Sequence, residues 1–295
     1  CILLFPVIMI GLEQLVKEGK GLLYGISLGI CILSNYYISI MICMFMVIYF
    51  FALWILESGR SGRDFVVSGL KFAGYSVLAG GLSAAVLLPE IFALQMTASG
   101  DVNFPKTVTS YFSIFDMIAR HLPIVETEIG LDHWPNLYCG VAVLLFFLLY
   151  LGCRQIRVRE KAVYCGLLLL FMASFSINVL NFIWHGFHYP NSLPCRQSFI
   201  YIFLMLFICF RAYMYLDETP KKHIAIAFWG SACFVLLAEK LVTQEHFHFI
   251  VYYVAIIFLA AYAGLMYLYK DGKRTVCGFP VSYTHLRAHE TGAYL

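Results

Sequence analysis

The sequence predicts an all-α protein, a polytopic bundle of transmembrane helices. Three observations predict it. First, the 295 residues are 61% hydrophobic and only 13% charged, whereas soluble domains carry about 25% charged residues. Second, the apolar residues fall in long runs, near the length of about 20 residues that a helix needs to cross a hydrocarbon core. Third, the net charge of +3 says little, but the basic residues gather on alternate connections, the pattern that sets membrane orientation.

Taken in order, residues 1–12 read as the end of a span and 13–20 as a short charged loop. Residues 21–56 are apolar for 36 positions, interrupted at Ser34-Asn35-Tyr36-Tyr37. That is long for one crossing and short for two. Charge decides between them. Two spans, 21–34 and 38–56, are followed by spans at 66–94, 138–152, 162–180, 197–216, 224–240 and 248–269, about nine in all. Fifteen basic residues then share one side: Lys17 and Lys20; Arg60, Arg63 and Lys71; Arg154, Arg157, Arg159 and Lys161; Arg211, Lys221 and Lys222; Lys270, Lys273 and Arg274. The other side holds four, Lys106, Arg120, Arg196 and Lys240. One span over 21–56 would put Arg60 and Arg63 opposite Lys17 and Lys20. The two-span reading makes the basic loops cytoplasmic. It places outside the turn at Asn35, the loop 95–137, the turn 181–196 and the short segment 241–247.

Within this frame, Gly80-Gly81, Ser83, Ala84 and Ala85 are expected to allow close helix approach. Residues 111–122 carry apolar positions near a 3.6-residue spacing, with Asp116, Arg120 and His121 on another side. They are expected to form a helix lying in the outer interface, ended by Pro123. The cysteines lie mostly inside apolar runs, without the spacing of a disulfide framework or a zinc site. The chain opens inside an apolar run, without Met, and is expected to be an internal fragment that lacks earlier spans. Residues 281–295 break from the preceding composition and resemble translated adapter read-through. They are set aside as a non-native tail, leaving 1–280 as a transmembrane helical domain. No phosphate-binding or dinucleotide fingerprint and no internal repeat is present, so no cofactor is expected. The basic residues are accounted for by topology, so no nucleic-acid partner is expected either.

The stretch from Trp184 to Arg196 concentrates aromatics, two histidines, two prolines, Asn191 and an arginine. Proline lacks an amide donor and clashes with the preceding helical turn. Irregular backbone at a bilayer is tolerated only against protein or a water-filled cavity. The turn is therefore expected to line a cavity. His185 and His188, and His246 and His248 beside Glu245, read as interfacial hydrogen-bonding histidines rather than metal ligands. Arg196 suits phosphate oxygens through its planar fork, and equally suits a carboxylate such as Asp116, Glu126 or Glu128. The outer carboxylates Glu90, Asp101, Asp116, Glu126, Glu128 and Asp132 include candidates for a general base. Trp134, Tyr138, Trp184 and Tyr189 suit either sugar stacking or an aromatic belt at headgroup level.

Several of these stretches together resemble the bacterial YfhO membrane-protein family. They are Ser34-Asn35-Tyr36-Tyr37, Gly80-Gly81-Leu82-Ser83-Ala84 with Leu87-Leu88-Pro89, and Pro135-Asn136-Leu137-Tyr138-Cys139-Gly140. The most specific runs from Trp184-His185-Gly186-Phe187 through Pro190-Asn191 to Pro194-Cys195-Arg196, where Cys195 replaces the expected aromatic. The family is similar to the GT-C class of integral-membrane glycosyltransferases. The resemblance implies transfer of a sugar from a polyprenyl-phosphate carrier, on the outer face of a bacterial cell membrane, to a lipoteichoic-acid-like cell-wall polymer. It implies an inverting displacement, with a base that deprotonates the acceptor and cations that hold the leaving lipid phosphate. In that class the acidic residue usually lies in the first outer loop, which would precede Cys1. The base is therefore expected to be missing and the fragment inactive, with Asp116 the candidate within the chain. Arg196 is implied as the lipid-phosphate contact, and His185, Tyr189 and Asn191 as sugar or acceptor contacts. Trp184, Asn35 and Tyr36 face the same cavity in this reading.

A flippase for lipid-linked saccharide would share the cavity and its aromatic lining. It should also show mid-membrane ionisable residues and paired broken helices. The scarcity of mid-depth charge favours the enzyme. A non-catalytic assembly protein is the third reading.

Overall fold

A computed structural model describes residues 1–57, 61–96, 104–127, 134–187, 195–242 and 247–270. Twelve α-helices are described: α1 (Phe5–Glu18), α2 (Leu22–Ser34), α3 (Tyr36–Leu56), α4 (Gly62–Leu82), α5 (Ala84–Gln95), α6 (Ile114–Ala119), α7 (Ala142–Gly152), α8 (Val158–Ser176), α9 (Asn178–Trp184), α10 (Ser198–Met214), α11 (Lys221–Leu241) and α12 (Phe249–Lys270). No strand lies among the described residues; one isolated bridge joins Ser110 and Ile177. Helices α3, α4, α11 and α12 are long and apolar enough to cross a membrane, and α2, α7 and α10 are shorter apolar helices. The all-α membrane bundle is therefore observed. The nine expected crossings are not established by these helices, because several expected spans occur as short helices or as broken pairs.

The chain forms two compact units. The first comprises Cys1–Ser113, Glu128–Asn136 and Val158–Tyr201, and the second Ile114–Thr127, Leu137–Arg157 and Ile202–Leu295.

In the first unit an aromatic core runs through Phe5, Phe45, Phe171 and Trp184. Ring centroids lie 5.7 Å apart for Phe5–Phe45, 5.8 Å for Phe45–Phe171 and 5.0 Å for Phe171–Trp184. Tyr49 stacks on Phe45 and donates its hydroxyl to Glu13 at 2.8 Å, so the buried ring has a partner for its polar end. Helix α1 meets α2 at Gly11, where an added Cβ would stand 2.5 Å from the Tyr24 amide nitrogen. Only glycine admits that approach. By contrast, nothing lies within 4 Å of a Cβ built on Gly80 or Gly81. The close contact expected there is made one turn away, where the buried Ser83 donates to the Gly29 carbonyl of α2 at 2.9 Å.

Two expected spans are broken in this unit. The span at 66–94 divides into α4 and α5 at Ser83, whose hydroxyl also donates to Ala79 O at 2.8 Å. Pro89 lies inside α5 and removes a further amide donor. The span at 162–180 divides into α8 and α9 at Ile177, which takes extended backbone (φ −87°, ψ 120°). The segment 107–112 fills this second break. Asn178 donates to Thr107 O at 2.8 Å and accepts from the Thr109 amide at 3.0 Å. The Tyr111 amide donates to Ser176 O at 2.9 Å, and the Ser110 and Ser176 hydroxyls meet at 2.6 Å. Backbone groups freed by the break are thus satisfied by protein, as burial requires.

In the second unit α7, α11 and α12 pack together, and Phe146 of α7 meets Tyr213 of α10 with ring centroids 6.2 Å apart. Tyr269 donates to Asp217 at 3.2 Å, and Lys270 to Asp217 O at 2.9 Å, closing one end of α12 onto the turn after α10. Gln155 bonds Glu218 at 2.8 Å on the connection after α7. The helix expected over 111–122 is shorter, only Ile114–Ala119, and its polar residues are buried together with Met117, Ala119 and Leu122. Asp116, Arg120 and His121 are buried, while Ile114 and Phe115 are exposed. The polar residues can turn inward because they have partners there: Arg120 donates to Glu126 O at 3.0 Å, and the His121 Nδ1 lies 2.9 Å from Ile118 O.

Candidate functional site

A carboxylate and a cation of the first unit gather around two successive tyrosines. Asn35 ends α2 and caps α3: its backbone is extended (φ −168°, ψ 103°) and its side chain accepts from the Ile38 amide at 3.0 Å. An Asn at this position satisfies one of the orphan amides of the new helix. The cap fixes the direction in which Tyr36 and Tyr37 leave the turn. The Glu90 carboxylate of α5 lies near the Tyr36 hydroxyl. The guanidinium of Arg196, just before α10, lies over the Tyr37 ring, 4.9 Å from its centroid. All four side chains are half-buried. Three segments distant in sequence therefore bring a carboxylate and a cation to adjacent residues.

The turn leading to Arg196 is conformationally unusual. Phe187 (φ 64°) and Cys195 (φ 52°) are non-glycine residues in the left-handed region, and Gly186 (φ 73°) precedes the first of them. Such residues cost on the order of 1–3 kcal/mol each and persist where the surroundings demand them. Cys195 is fully buried, with its thiol 4.0 Å from Phe175 O.

The remaining expected contacts divide by burial. Trp184 is buried, its ring against Phe171. His185 is also buried and lies at the C-terminal end of α9, with Nδ1 2.8 Å from Asn181 O. Tyr189 and Asn191 lie outside the described residues, as do His133, His188, His246, Asp101, Glu128 and Asp132. Asp116 is buried within the second unit. Among the described outer carboxylates, Glu90 alone shares a unit with Arg196. Trp134 stacks on Phe112 at 3.8 Å, which occupies one face of its ring.

Sequence reasoning passed over two amides. Asn181 and Gln197 are both 0% exposed, and none of their four side-chain nitrogen and oxygen atoms has a hydrogen-bond partner. Unsatisfied buried amides cost about 1–3 kcal/mol each, and such groups usually have an explanation. A signal was present, since an amide at either end of an apolar run departs from the surrounding composition. Tyr37 was passed over as well, because an aromatic at a membrane interface has an ordinary explanation.

A family model described as bacterial membrane protein YfhO matches residues 1–284. No curated protein and no solved structure matches.

Proposed function

From the premise that this chain belongs to the YfhO family of bacterial membrane proteins, we propose that it is part of a GT-C-like membrane glycosyltransferase of cell-envelope synthesis. In this proposal it moves a sugar from a polyprenyl-phosphate carrier to a cell-wall polymer of lipoteichoic-acid type. The basic loops are cytoplasmic, and residues 95–137 and 181–196 are extracellular. The observation that carries the reading is the placement of Arg196 over the Tyr37 ring, with Glu90 near the adjacent Tyr36.

The chemistry follows from these groups. A planar guanidinium takes two phosphate oxygens at once, and stacking on Tyr37 preorganises it. Arg196 thus offsets negative charge that builds on the lipid phosphate as its bond to the anomeric carbon breaks. Glu90, near Tyr36, takes the proton of the acceptor hydroxyl as that oxygen bonds the anomeric carbon from the opposite face. This assigns the base to Glu90 rather than Asp116. Asn35 holds the turn through its cap, and Trp184 and His185 support the outer turn from within. Tyr189 and Asn191 are assigned to the sugar or the acceptor. The unpartnered amides of Asn181 and Gln197 favour a ligand rich in hydroxyl groups, or ordered water in its place.

One observation favours the flippase. Helix breaks at Ser83 and Ile177 fit a transporter that repacks around its cargo. The side chains at those breaks are hydroxyls and an amide (Ser83, Ser176 and Asn178), not the ionisable groups that usually couple transport.

The test uses a full-length family member carrying this region, with Arg196 replaced by Lys and by Ala at unchanged protein level. Sugar transfer from a polyprenyl-phosphate donor is expected to fall by about a hundredfold in the Ala variant. Lys is expected to restore little, because it lacks the planar fork. Undiminished transfer in both variants would overturn the assignment. Movement of the donor lipid across the bilayer without transfer would establish the flippase instead.

A further inference from the structure

We propose that Cys1 and Cys31 close into a disulfide that clamps the Asn35 turn. The two sulfurs stand 3.0 Å apart. Cys31 is buried near the end of α2, and Cys1 is half-buried ahead of α1. The Ser39 hydroxyl donates to the Cys31 sulfur at 3.3 Å and lies 3.6 Å from that of Cys1, which is itself 3.9 Å from Asn35 O. A disulfide needs sulfurs at about 2.05 Å, so the gap to close is about 1 Å, within reach of side-chain rotation. The pair is thus already assembled beneath the turn that holds Tyr36 and Tyr37. Nothing in the spacing of the cysteines along the chain announces it.

The placement suits the chemistry. Disulfides persist at cell surfaces and are rare in reducing compartments. The oxidant is the disulfide of an exported thiol oxidase or a small-molecule equivalent. The Cys1 thiolate attacks one sulfur of that disulfide, forming a mixed disulfide and releasing one thiol. Cys31 then attacks the Cys1 sulfur, releasing the second thiol. The two protons lost from Cys1 and Cys31 end on the two released thiols, and the two electrons reduce the oxidant. The product ties the segment ahead of α1 to the end of α2, directly under the α3 cap. The proposal rests on the outer placement of the Asn35 turn and not on the transfer chemistry.

The experiment uses the full chain in detergent, incubated with oxidised glutathione, then alkylated and digested with trypsin. Cleavage after Lys17 and Lys20 separates the two cysteines, so peptides 1–17 and 21–60 are expected to travel as one species until reduced. Peptide 21–60 also contains Cys43. Cys43→Ser is expected to keep the linked species, whereas Cys1→Ser and Cys31→Ser lose it. Because Cys1 is half-buried, its substitution leaves the core intact should Cys31→Ser fail to fold. Separate peptides after oxidation, or a linked species that survives Cys31→Ser, would overturn the proposal. The readout is a mass, so its failure is distinguishable from failure of the glycosyltransferase reading.

Discussion

The two units use the same apolar alphabet in different ways. In the second, α11 and α12 run unbroken for 21 and 22 residues, and Ser231 is the buried polar residue within them. In the first, two expected spans are broken, and Ser39, Ser83, Ser176, Asn178, Asn181, His185 and Gln197 are all buried. An unbroken helix satisfies its own backbone and leaves its side chains only packing to do. A broken one needs hydroxyls and amides to complete its hydrogen bonds, and that brings polar chemistry into the membrane. The candidate site lies in the unit with the breaks.

The comparison can be broken at Asn178. Replacing it by Ala removes the bonds to Thr107 and Thr109 and leaves backbone groups at the α8–α9 break without partners. The expected loss is about 2–4 kcal/mol for these bonds together. Thermal unfolding in detergent measures the loss, and hydrogen exchange locates it. Exchange at Thr109 and Tyr111 should accelerate, while α11 and α12 keep their protection. Uniform acceleration over both units would mean that the break has no local role.

The second unit carries a different vulnerability, in His121. Burial pushes its imidazole down to about 4, below the ordinary value of 6.5, despite the bond to Ile118 O. Between these values the unfolded chain binds a proton that the folded chain refuses. Stability is therefore complete above the unfolded value and is lost as pH falls toward the folded one. At about pH 5 the loss should reach about 2 kcal/mol. Unfolding midpoints measured against pH for the unmodified chain and for His121→Asn test it. The slope should flatten in the variant, and an equal slope in both would place the titration elsewhere.

Much of the helical layout is legible in the order of the residues. Helical stretches expected at 21–34 and 224–240 are observed as the helices Leu22–Ser34 and Lys221–Leu241, because Asn35 and Pro220 mark ends that local chemistry decides. The break at Ile177 is not legible in the same way. Apolar character continues through it, and the groups that complete its hydrogen bonds come from a segment about seventy residues earlier, at Thr107–Phe112. The burial of Asp116, Arg120 and His121 escapes for a related reason. Spacing shows which residues share a face but not what that face meets. Arg196 is legible as a cation in an unusual place, and Glu90 only as one carboxylate among six. What pairs them with Tyr37 and Tyr36 is tertiary packing, which one sequence does not reveal.

The smallest expected effect has the opposite sign and sharpens the contrast most. Ser231 lies 2% exposed on α11, and its hydroxyl has no hydrogen-bond partner. In the first unit, buried hydroxyls such as Ser83 and Ser176 close gaps in the backbone, and their removal leaves those gaps open. On an unbroken helix there is no gap to close. Ser231→Ala therefore deletes an unsatisfied group and should leave stability unchanged or raise it by up to about 1 kcal/mol. Ser83→Ala, of the same size and chemistry, should lower it, because Gly29 O loses the hydroxyl that ties α2 to the α4–α5 break. Unfolding midpoints of the two variants, measured side by side, decide the matter. If both fall alike, buried hydroxyls stabilise this fold wherever they occur, and the helix breaks have no special claim on polar side chains.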